Sequence, residues 1–236
     1  MKVTHLLLSA LFTLWVAKAH AQLGFGGEIG LNGSACTVKV AGNDKDAKLR
    51  FGMRIGGFSD IALTDNFFLQ PGLYYVANGY KANFTGGHEE YNINTIEIPV
   101  NIIYKFGPLG SSRLFVGAGP FIGYNIHGYY KVFSPLFVDS RSDLRIGGGA
   151  TDQVNNLDAG LGINAGYQLT EGLFLRARTQ FGLLNMSVPV ANENNTLRSF
   201  SFGITAGYVF YARDKDGTLR INRKRKTKQT QSPGGK

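Results

Sequence analysis

Residues 156–169 read NLDAGLGINAGYQL, and apolar and polar side chains alternate through the whole stretch. Every second position from Leu157 to Leu169 carries an aliphatic or aromatic group, and the positions between carry Asn, Asp, Gly or Gln. A period of two is typical of a β-strand with one apolar and one polar face. Residues 173–183 and 199–210 repeat the pattern, and Thr-Glu-Gly at 170–172 forms a turn signal between the first two stretches.

Eight stretches of this kind can be marked along the chain, with ends uncertain by a few residues. They lie at about 23–34, 48–63, 67–81, 91–106, 113–130, 156–169, 173–186 and 197–211. The connections alternate between long polar segments (35–47, 82–90, 131–155, 187–196) and short turns (64–66, 107–112, 170–172). Outer-membrane barrels have long outer loops and tight periplasmic turns. The sequence therefore predicts an all-β, eight-stranded antiparallel up-and-down transmembrane β-barrel with both termini in the periplasm.

The first 21 residues have the features of a secretory signal peptide. Lys2 precedes a short apolar run, and Ala-His-Ala at 19–21 matches the small-x-small pattern of a cleavage site. An uncleaved anchor would need about 20 apolar residues and would not explain this pattern. We expect cleavage between Ala21 and Gln22, a barrel over 22–212, and a periplasmic tail over 213–236. The expected location is the outer membrane of a Gram-negative bacterium.

The alternation also sorts the charged residues of the predicted strands. The net charge of +9 comes from the signal segment and the tail, because the body between them has 14 basic and 14 acidic residues. An eight-stranded barrel is just wide enough for side chains to fill it, so charges inside must pair. The predicted structural ion-pair network comprises Glu28, Arg50, Arg54, Glu97, Lys105, Asp158, Arg176 and Arg178. An ion pathway is the less favoured interpretation of the same set.

The chain gives no convergent catalytic, cofactor or metal motif, so we predict neither enzyme activity nor a cofactor. Residues 160–165 match G-x-G-x-x-A, but they lie inside a strand rather than before a helix, so the match is accidental. His88 lies in an acidic loop without the spacing of a structural metal site. His127 is the one strand-borne base, and no nucleophile stands at a diagnostic spacing. Cys36, a lone thiol, is expected to be a small strand residue.

The tail carries most of the excess positive charge. Its composition predicts disorder, because it has almost nothing to bury. A periplasmic location argues against nucleic acid as a partner. Contact with an anionic cell-wall polymer, with phospholipid headgroups of the inner leaflet or with an acidic envelope protein remains open. The tail residues expected to make such a contact are Arg220, Arg223, Lys224, Arg225, Lys226 and Lys228.

Three stretches of the sequence resemble motifs of the PorT-like outer-membrane β-barrel family. Residues 96–106 read IEIPVNIIYKF, residues 114–123 read LFVGAGPFIG, and residues 70–75 read QPGLYY. The resemblance covers 23–211 and implies a barrel, with a weak link to protein secretion. The tail and the long third outer loop depart from the pattern. Because proline removes one hydrogen-bond donor from a sheet, we expect a β-bulge beside Pro99, with Glu97 directed into the interior towards an arginine.

Three functions are compatible with these features. The favoured hypothesis is a non-enzymatic barrel that acts as a scaffold or interaction module in an envelope or secretion assembly, in contact with outer-membrane lipid. The first alternative is a narrow channel for small solutes. The second is an outer-membrane lipid-modifying enzyme that uses His127.

Overall fold

The computed structural model describes residues 23–40, 43–45, 47–84, 86–108, 110–134, 137–149, 152–187 and 196–211. The predicted signal segment and the predicted tail lie outside these residues. Within them the chain forms one sheet of eleven antiparallel strands. The strands are β1 (Leu23–Val40), β2 (Asn43–Lys45), β3 (Ala47–Lys48), β4 (Arg50–Ala62), β5 (Phe67–Phe84), β6 (Gly87–Lys105), β7 (Arg113–Ser134), β8 (Phe137–Asp143), β9 (Leu157–Gln168), β10 (Leu173–Gly182) and β11 (Thr196–Tyr211).

The sheet closes on itself. Neighbours pair in the order β1, β4, β5, β6, β7, β9, β10 and β11, and β11 returns to β1 over a register from Gly24↔Tyr211 to Lys39↔Thr196. The short strands β2, β3 and β8 extend the sheet beyond this ring at one end. In the described residues no helix is long and apolar enough to cross a membrane.

The two faces of the closed sheet differ as the alternation predicts. Residues such as Leu161, Ile163 and Ile204 point outward and are more than half exposed. The inward positions are buried and mainly polar, charged or aromatic. One of two apolar clusters in the interior comprises Phe58, Phe68, Tyr74, Val76, Ile103, Phe115, Phe174 and Val209. An apolar outside around a polar inside reverses the arrangement of a soluble protein and matches a barrel surrounded by lipid.

Glycines let these interior rings lie against the neighbouring strands. A Cβ at Gly26 would stand 2.5 Å from Cζ of Phe58, and a Cβ at Gly207 would stand 2.3 Å from the carbonyl oxygen of Gly27. Phe58 and Phe174, packed over these two glycines, meet edge to face with centroids 5.7 Å apart. The small residues between the apolar positions therefore make room for large interior side chains from adjacent strands.

The structure differs from the sequence prediction at the end of the ring away from the short turns. The prediction of a long loop at 82–90 is wrong, because β5 and β6 stay paired up to Phe84↔Gly87. The predicted loops at 35–47 and 131–155 likewise contain strand segments, including β2, β3 and β8. Period-two alternation marks only strands that have lipid on one side, and these extensions lie beyond the apolar band.

The predicted bulge beside Pro99 is also wrong. The register of β6 against β7 shifts between Asn94 and Thr95, five residues away, and is continuous from Pro99↔Phe121 to Ile102↔Ala118. The pairing of β5 with β6 instead passes from Pro71↔Val100 to Tyr74↔Glu97, so the missing donor of Pro99 falls in an interrupted part of that ladder.

Candidate functional site

A polar cluster closes the interior near the short turns. The ammonium group of Lys105 donates to Oδ2 of Asp60 at 2.5 Å, to the hydroxyl of Tyr211 at 2.7 Å and to Oε1 of Gln168 at 3.0 Å. The Tyr211 hydroxyl in turn donates to Asp60. All three protons of Lys105 thus have acceptors, which a cation at 1 % exposure requires. Lys105 is on β6 and Tyr211 is on β11, four strands away around the ring, so this cluster joins opposite walls.

A second cluster fills the middle of the interior. Glu28 lies between two arginines of β10, with 3.1 Å between its Oε2 and Nη1 of Arg176 and 2.7 Å between its Oε1 and Nη2 of Arg178. Arg176 also donates to Gln70 at 3.0 Å, and Gln70 donates to Asp60 at 2.7 Å. The two clusters are therefore one connected network. The bond from Arg176 on β10 to Gln70 on β5 is a second link between opposite walls.

Glu97 lies in the middle of the interior as well, on the other side of the barrel from Glu28. Its Oε1 accepts from Nη2 of Arg54 at 2.8 Å and from Nε2 of Gln180 at 2.9 Å, and all three side chains are buried. The guanidinium carbon of Arg54 lies 4.0 Å from the centre of the Tyr74 ring, which is a cation–π contact. Glu97 thus points inward to an arginine, and Gln180 connects it to the β10 wall.

Asp158 departs from the predicted network. In the described part of the chain it forms no ion pair. Its Oδ2 accepts from the Ser199 hydroxyl at 2.6 Å, and its Oδ1 is buried without a hydrogen-bond partner. It borders a cavity, also lined by Thr95 and Asn125, that offers about 20 Å³ to the centre of a water molecule. That volume holds about one water. The registers pair Asp158 with Gly123 and Gly123 with Glu97, so Asp158 is aligned with another carboxylate rather than with an arginine, a position that alternation alone could not give.

Asp158→Asn is expected to raise the free energy of unfolding by about 1–3 kcal/mol, because it removes a buried charge that has no cation partner and keeps an acceptor for Ser199. The measurement is a guanidinium unfolding titration of the protein in phospholipid vesicles. Asp143→Asn, at an exposed aspartate, is the matched control and should change little. A loss of stability in Asp158→Asn would show that the carboxylate has a favourable partner and would contradict this interpretation.

Arg50 lies at the opposite end of the ring from Lys105 and away from the central network. Its Nε donates to Oε1 of Glu90 at 2.9 Å, and its Nη1 donates to the carbonyl of Asn78 at 3.4 Å. Its Cδ lies against Gly79, where φ is +151° and where a Cβ would stand 2.9 Å from that atom. Of the eight predicted residues, four (Glu28, Lys105, Arg176 and Arg178) are joined by hydrogen bonds and ion pairs, and Arg54 with Glu97 adjoins them through the Tyr74 ring, which both Arg54 and Arg178 contact. Asp158 and Arg50 lie outside this network, and Arg50 belongs to the rim.

The remaining candidates are scattered. Cys36 is buried in an apolar cluster with Ile93 and Met186. His88 stacks on Phe133 with centroids 4.7 Å apart, and His127 is exposed with its ring 6.4 Å from that of Tyr129. No group of three or more His, Cys, Asp or Glu residues that could hold a metal occurs in the described ranges. Outside those ranges lie the predicted contact residues Arg220, Arg223, Lys224, Arg225, Lys226 and Lys228.

Sequence reasoning missed five members of the network. Two of them, Asp60 and Gln70, could have been found by continuing the alternation from Arg54 and Phe68, because they occupy the inward positions of β4 and β5. Tyr211 is the last residue of the eighth predicted strand. The missed members are Asp60, Gln70, Gln168, Gln180 and Tyr211.

The sheet closes on itself, with an apolar outside and a polar inside. Comparison with known protein families agrees with this architecture. A family model described as an outer membrane protein beta-barrel domain matches residues 18–188. The chain belongs to this outer membrane β-barrel family. No curated protein matches the chain.

Several solved outer-membrane proteins are similar to this outer membrane β-barrel. One is Ail of Yersinia pestis in complex with the heparin analogue sucrose octasulfate, with 14% identity over 80% of this chain and 99% of that chain and a TM-score of 0.41. OprG of Pseudomonas aeruginosa has 12% identity over 83% and 99% of the two chains and a TM-score of 0.41. The protease OmpT of Escherichia coli has 11% identity over 80% and 97% and a TM-score of 0.38.

Proposed function

We propose that the protein is a closed, non-enzymatic outer-membrane scaffold, an eight-stranded barrel that presents its outer extensions to partners rather than conducting solute. In this proposal the signal peptide is removed near Ala21, and residues 213–236 form a periplasmic tail. The proposal includes the PorT-like relationship suggested by residues 96–106 and 114–123, and with it a place in an envelope or secretion assembly.

The links between opposite walls carry this proposal. Arg176 bonds to Gln70, and Lys105 bonds to Tyr211, each across four strands of the ring. Two layers of the interior are therefore occupied by buried charged groups that form ion pairs with one another. A conducting pore would need these bonds to open, and a hydrogen bond to a charged group contributes about 1.5–3 kcal/mol.

The size of the remaining space agrees with a closed interior. Two small cavities in the interior, one beside Asp158 and one between Arg54, Asn164 and Arg178, offer about 20 Å³ and about 10 Å³ to the centre of a water molecule. These volumes correspond to single waters rather than to a file of them. They support a structural role for the interior charges over the alternative of a narrow solute channel.

The outer extensions supply the surface for partners. β5 and β6 form a paired hairpin up to Phe84↔Gly87, and β7 continues to Ser134. An apolar cluster that includes Leu144, Val154 and Leu197 covers the interior at this end. A rigid, capped platform of strands suits recognition of a partner, since little ordering entropy is lost on binding.

The first test is affinity purification of the native protein from detergent-solubilised outer membranes, with and without residues 213–236. The expected result is a defined partner of the full-length form, and loss of that partner without the tail would assign the contact to the tail rather than to the outer extensions. An abundant outer-membrane barrel purified in parallel controls for non-specific capture. A chain that purifies alone in both forms would overturn the scaffold proposal.

The conductance test separates the scaffold from the channel. In planar bilayers the wild-type protein is expected to give no single-channel steps, and Arg176→Ala, which opens the middle layer, is expected to give small ones. Arg198→Ala, at an exposed outward position, is the matched control. Regular steps from the wild-type protein whose size changes in Arg176→Ala but not in Arg198→Ala would favour a channel and contradict a closed interior.

A further inference from the structure

A row of charged side chains crosses five strands just beyond the outer end of the apolar band. The registers pair Lys48 with Lys81, Lys81 with Glu90, Glu90 with Lys131, and Lys131 with Arg141. Directly paired residues of antiparallel strands project on the same face of the sheet. The five side chains therefore form one belt on a single face, and we call it the basic belt.

The basic belt lies on the outer face of the sheet, the same face that carries the lipid-facing residues of the apolar band. On β5 the inward residues are Phe68, Gln70, Tyr74 and Val76, so Lys81 has the outward parity. On β7 the outward series runs through the exposed Tyr124 and Ile126, and after the register shift it continues to His127, Tyr129 and Lys131. The basic belt is thus the continuation of the lipid-facing wall, not part of the interior.

Its height above the apolar band fits a membrane headgroup layer. Five residues separate Ile126 from Lys131, which is about 16 Å along a strand and about 12 Å along the membrane normal for the usual strand tilt of roughly 40°. A lysine or arginine side chain can extend several ångströms back towards the membrane while its charged group stays in water. The charges therefore lie within reach of the phosphates of the outer leaflet.

The belt has an excess of positive charge that the protein itself does not neutralise. Glu90 is its one carboxylate, and it is already bonded to Arg50 at 2.9 Å and to Lys81 at 3.4 Å. Partial burial would raise the pKa of Glu90, but the hydrogen bond from Arg50 and the charge of Lys81 hold it below the usual value. In the described residues Lys48, Lys131 and Arg141 form no ion pair. Glu89 pairs with Val132 and so has the opposite facing from Glu90, and Asp143 pairs with Tyr129 in the next row.

Two pairs of like charges therefore face each other directly, Lys48 with Lys81 and Lys131 with Arg141. Like charges at directly opposed positions destabilise a sheet unless an anion lies between them. Tyr129 also orients the second pair. The guanidinium carbon of Arg141 lies 3.9 Å from the centre of its ring, and its hydroxyl accepts from Asn92 at 3.0 Å. The arginine is held in place by a ring that is itself fixed.

We propose that the basic belt, and above all Lys131 with Arg141, binds the phosphate groups of the anionic glycolipid of the outer leaflet. Two adjacent cations on neighbouring strands can share one phosphate, with charge-assisted hydrogen bonds from both. The glycolipid is favoured over a soluble anion because the belt continues the lipid-facing wall and lies at headgroup height. The inference rests on the proposed orientation of the barrel, but not on any protein partner or on the tail.

The test uses the full-length mature protein in neutral detergent and measures retained lipid by native mass spectrometry. The probes are bisphosphorylated lipid A, its dephosphorylated form, phosphatidylglycerol and inorganic phosphate. Wild-type protein is expected to retain bisphosphorylated lipid A at least tenfold more strongly than the dephosphorylated form, with weaker binding at 0.5 M salt because the charges are exposed. Lys131→Gln/Arg141→Gln is expected to lose most of this preference.

Arg198→Gln is the control, because it removes an exposed outward charge outside the belt. Unfolding titrations of all variants check that the barrel is intact. Equal retention of the two lipid A forms, or equal behaviour of the belt variant and Arg198→Gln, would overturn the proposal. Equal competition by phosphatidylglycerol or inorganic phosphate would overturn the assignment to the glycolipid. Because the readout is lipid rather than protein capture, failure here leaves the scaffold proposal standing.

Discussion

Replacing Glu28 with glutamine is expected to lower the free energy of unfolding by about 3–5 kcal/mol. The carboxylate is buried between Arg176 and Arg178, and without its charge both guanidinium groups would remain inside the barrel with their attraction to Glu28 removed. The measurement is the midpoint and slope of reversible guanidinium unfolding in phospholipid vesicles. Of the interior ion pairs, this one should have the largest effect, because one carboxylate serves two cations.

Two further variants separate the ion pairs from a general effect of substitution. Glu171→Gln, in the exposed turn between β9 and β10, is the matched control and should change stability by less than about 0.5 kcal/mol. Glu28→Gln combined with Arg178→Met should recover part of the loss, since an apolar side chain of similar length leaves fewer unpaired charges. If Glu28→Gln is as stable as the control, the central network does not stabilise the fold.

Asp60→Asn is expected to destabilise the end of the barrel near the short turns by a similar amount, about 3 kcal/mol. Asp60 accepts from Lys105, Gln70 and Tyr211, and an amide would keep the shape but leave the Lys105 ammonium without a counter-charge. The same unfolding titration measures the loss. Protease accessibility of residues near Tyr211 should increase together with it, because Tyr211 is at the end of the last strand and its hydroxyl is held by this cluster.

Asp65→Asn, in the exposed turn five residues away, controls for removal of a negative charge at this end of the barrel. The pair of substitutions Asp60→Leu and Lys105→Met removes both charges and should be more stable than Asp60→Asn alone. Should Asp60→Asn match Asp65→Asn in stability, the crossing bond between β6 and β11 would be an incidental contact.

A few interior side chains, each with several hydrogen-bond partners, stabilise the barrel. Lys105 bonds to side chains of three other strands, and Arg176 connects the central layer to Asp60 through Gln70. A double-mutant cycle between Glu28 and Asp60 would therefore be expected to depart from additivity, since they are joined through two intermediate residues. Independent effects would indicate two separate layers.

The sequence by itself determined the strands that have lipid on one side, the short turns between them and the facing of their side chains. Residues 157–168 form β9 almost as the alternation predicts, because lipid and interior impose opposite requirements on successive residues. It also placed Glu28, Glu97, Arg176 and Arg178 on the inner face. Local pattern was sufficient here, since the period-two rule acts residue by residue.

Only the tertiary structure decided which interior charges meet. The partner of Lys105 is Asp60 and that of Arg50 is Glu90, whereas Asp158 accepts from Ser199 and has no cation partner among the residues that the structure describes. These pairings depend on the height of each residue along the barrel axis, which is set by the stagger of neighbouring strands and not by alternation. The basic belt has the same origin, because Lys48, Lys81, Lys131 and Arg141 are far apart in sequence and are aligned only by the register of five strands.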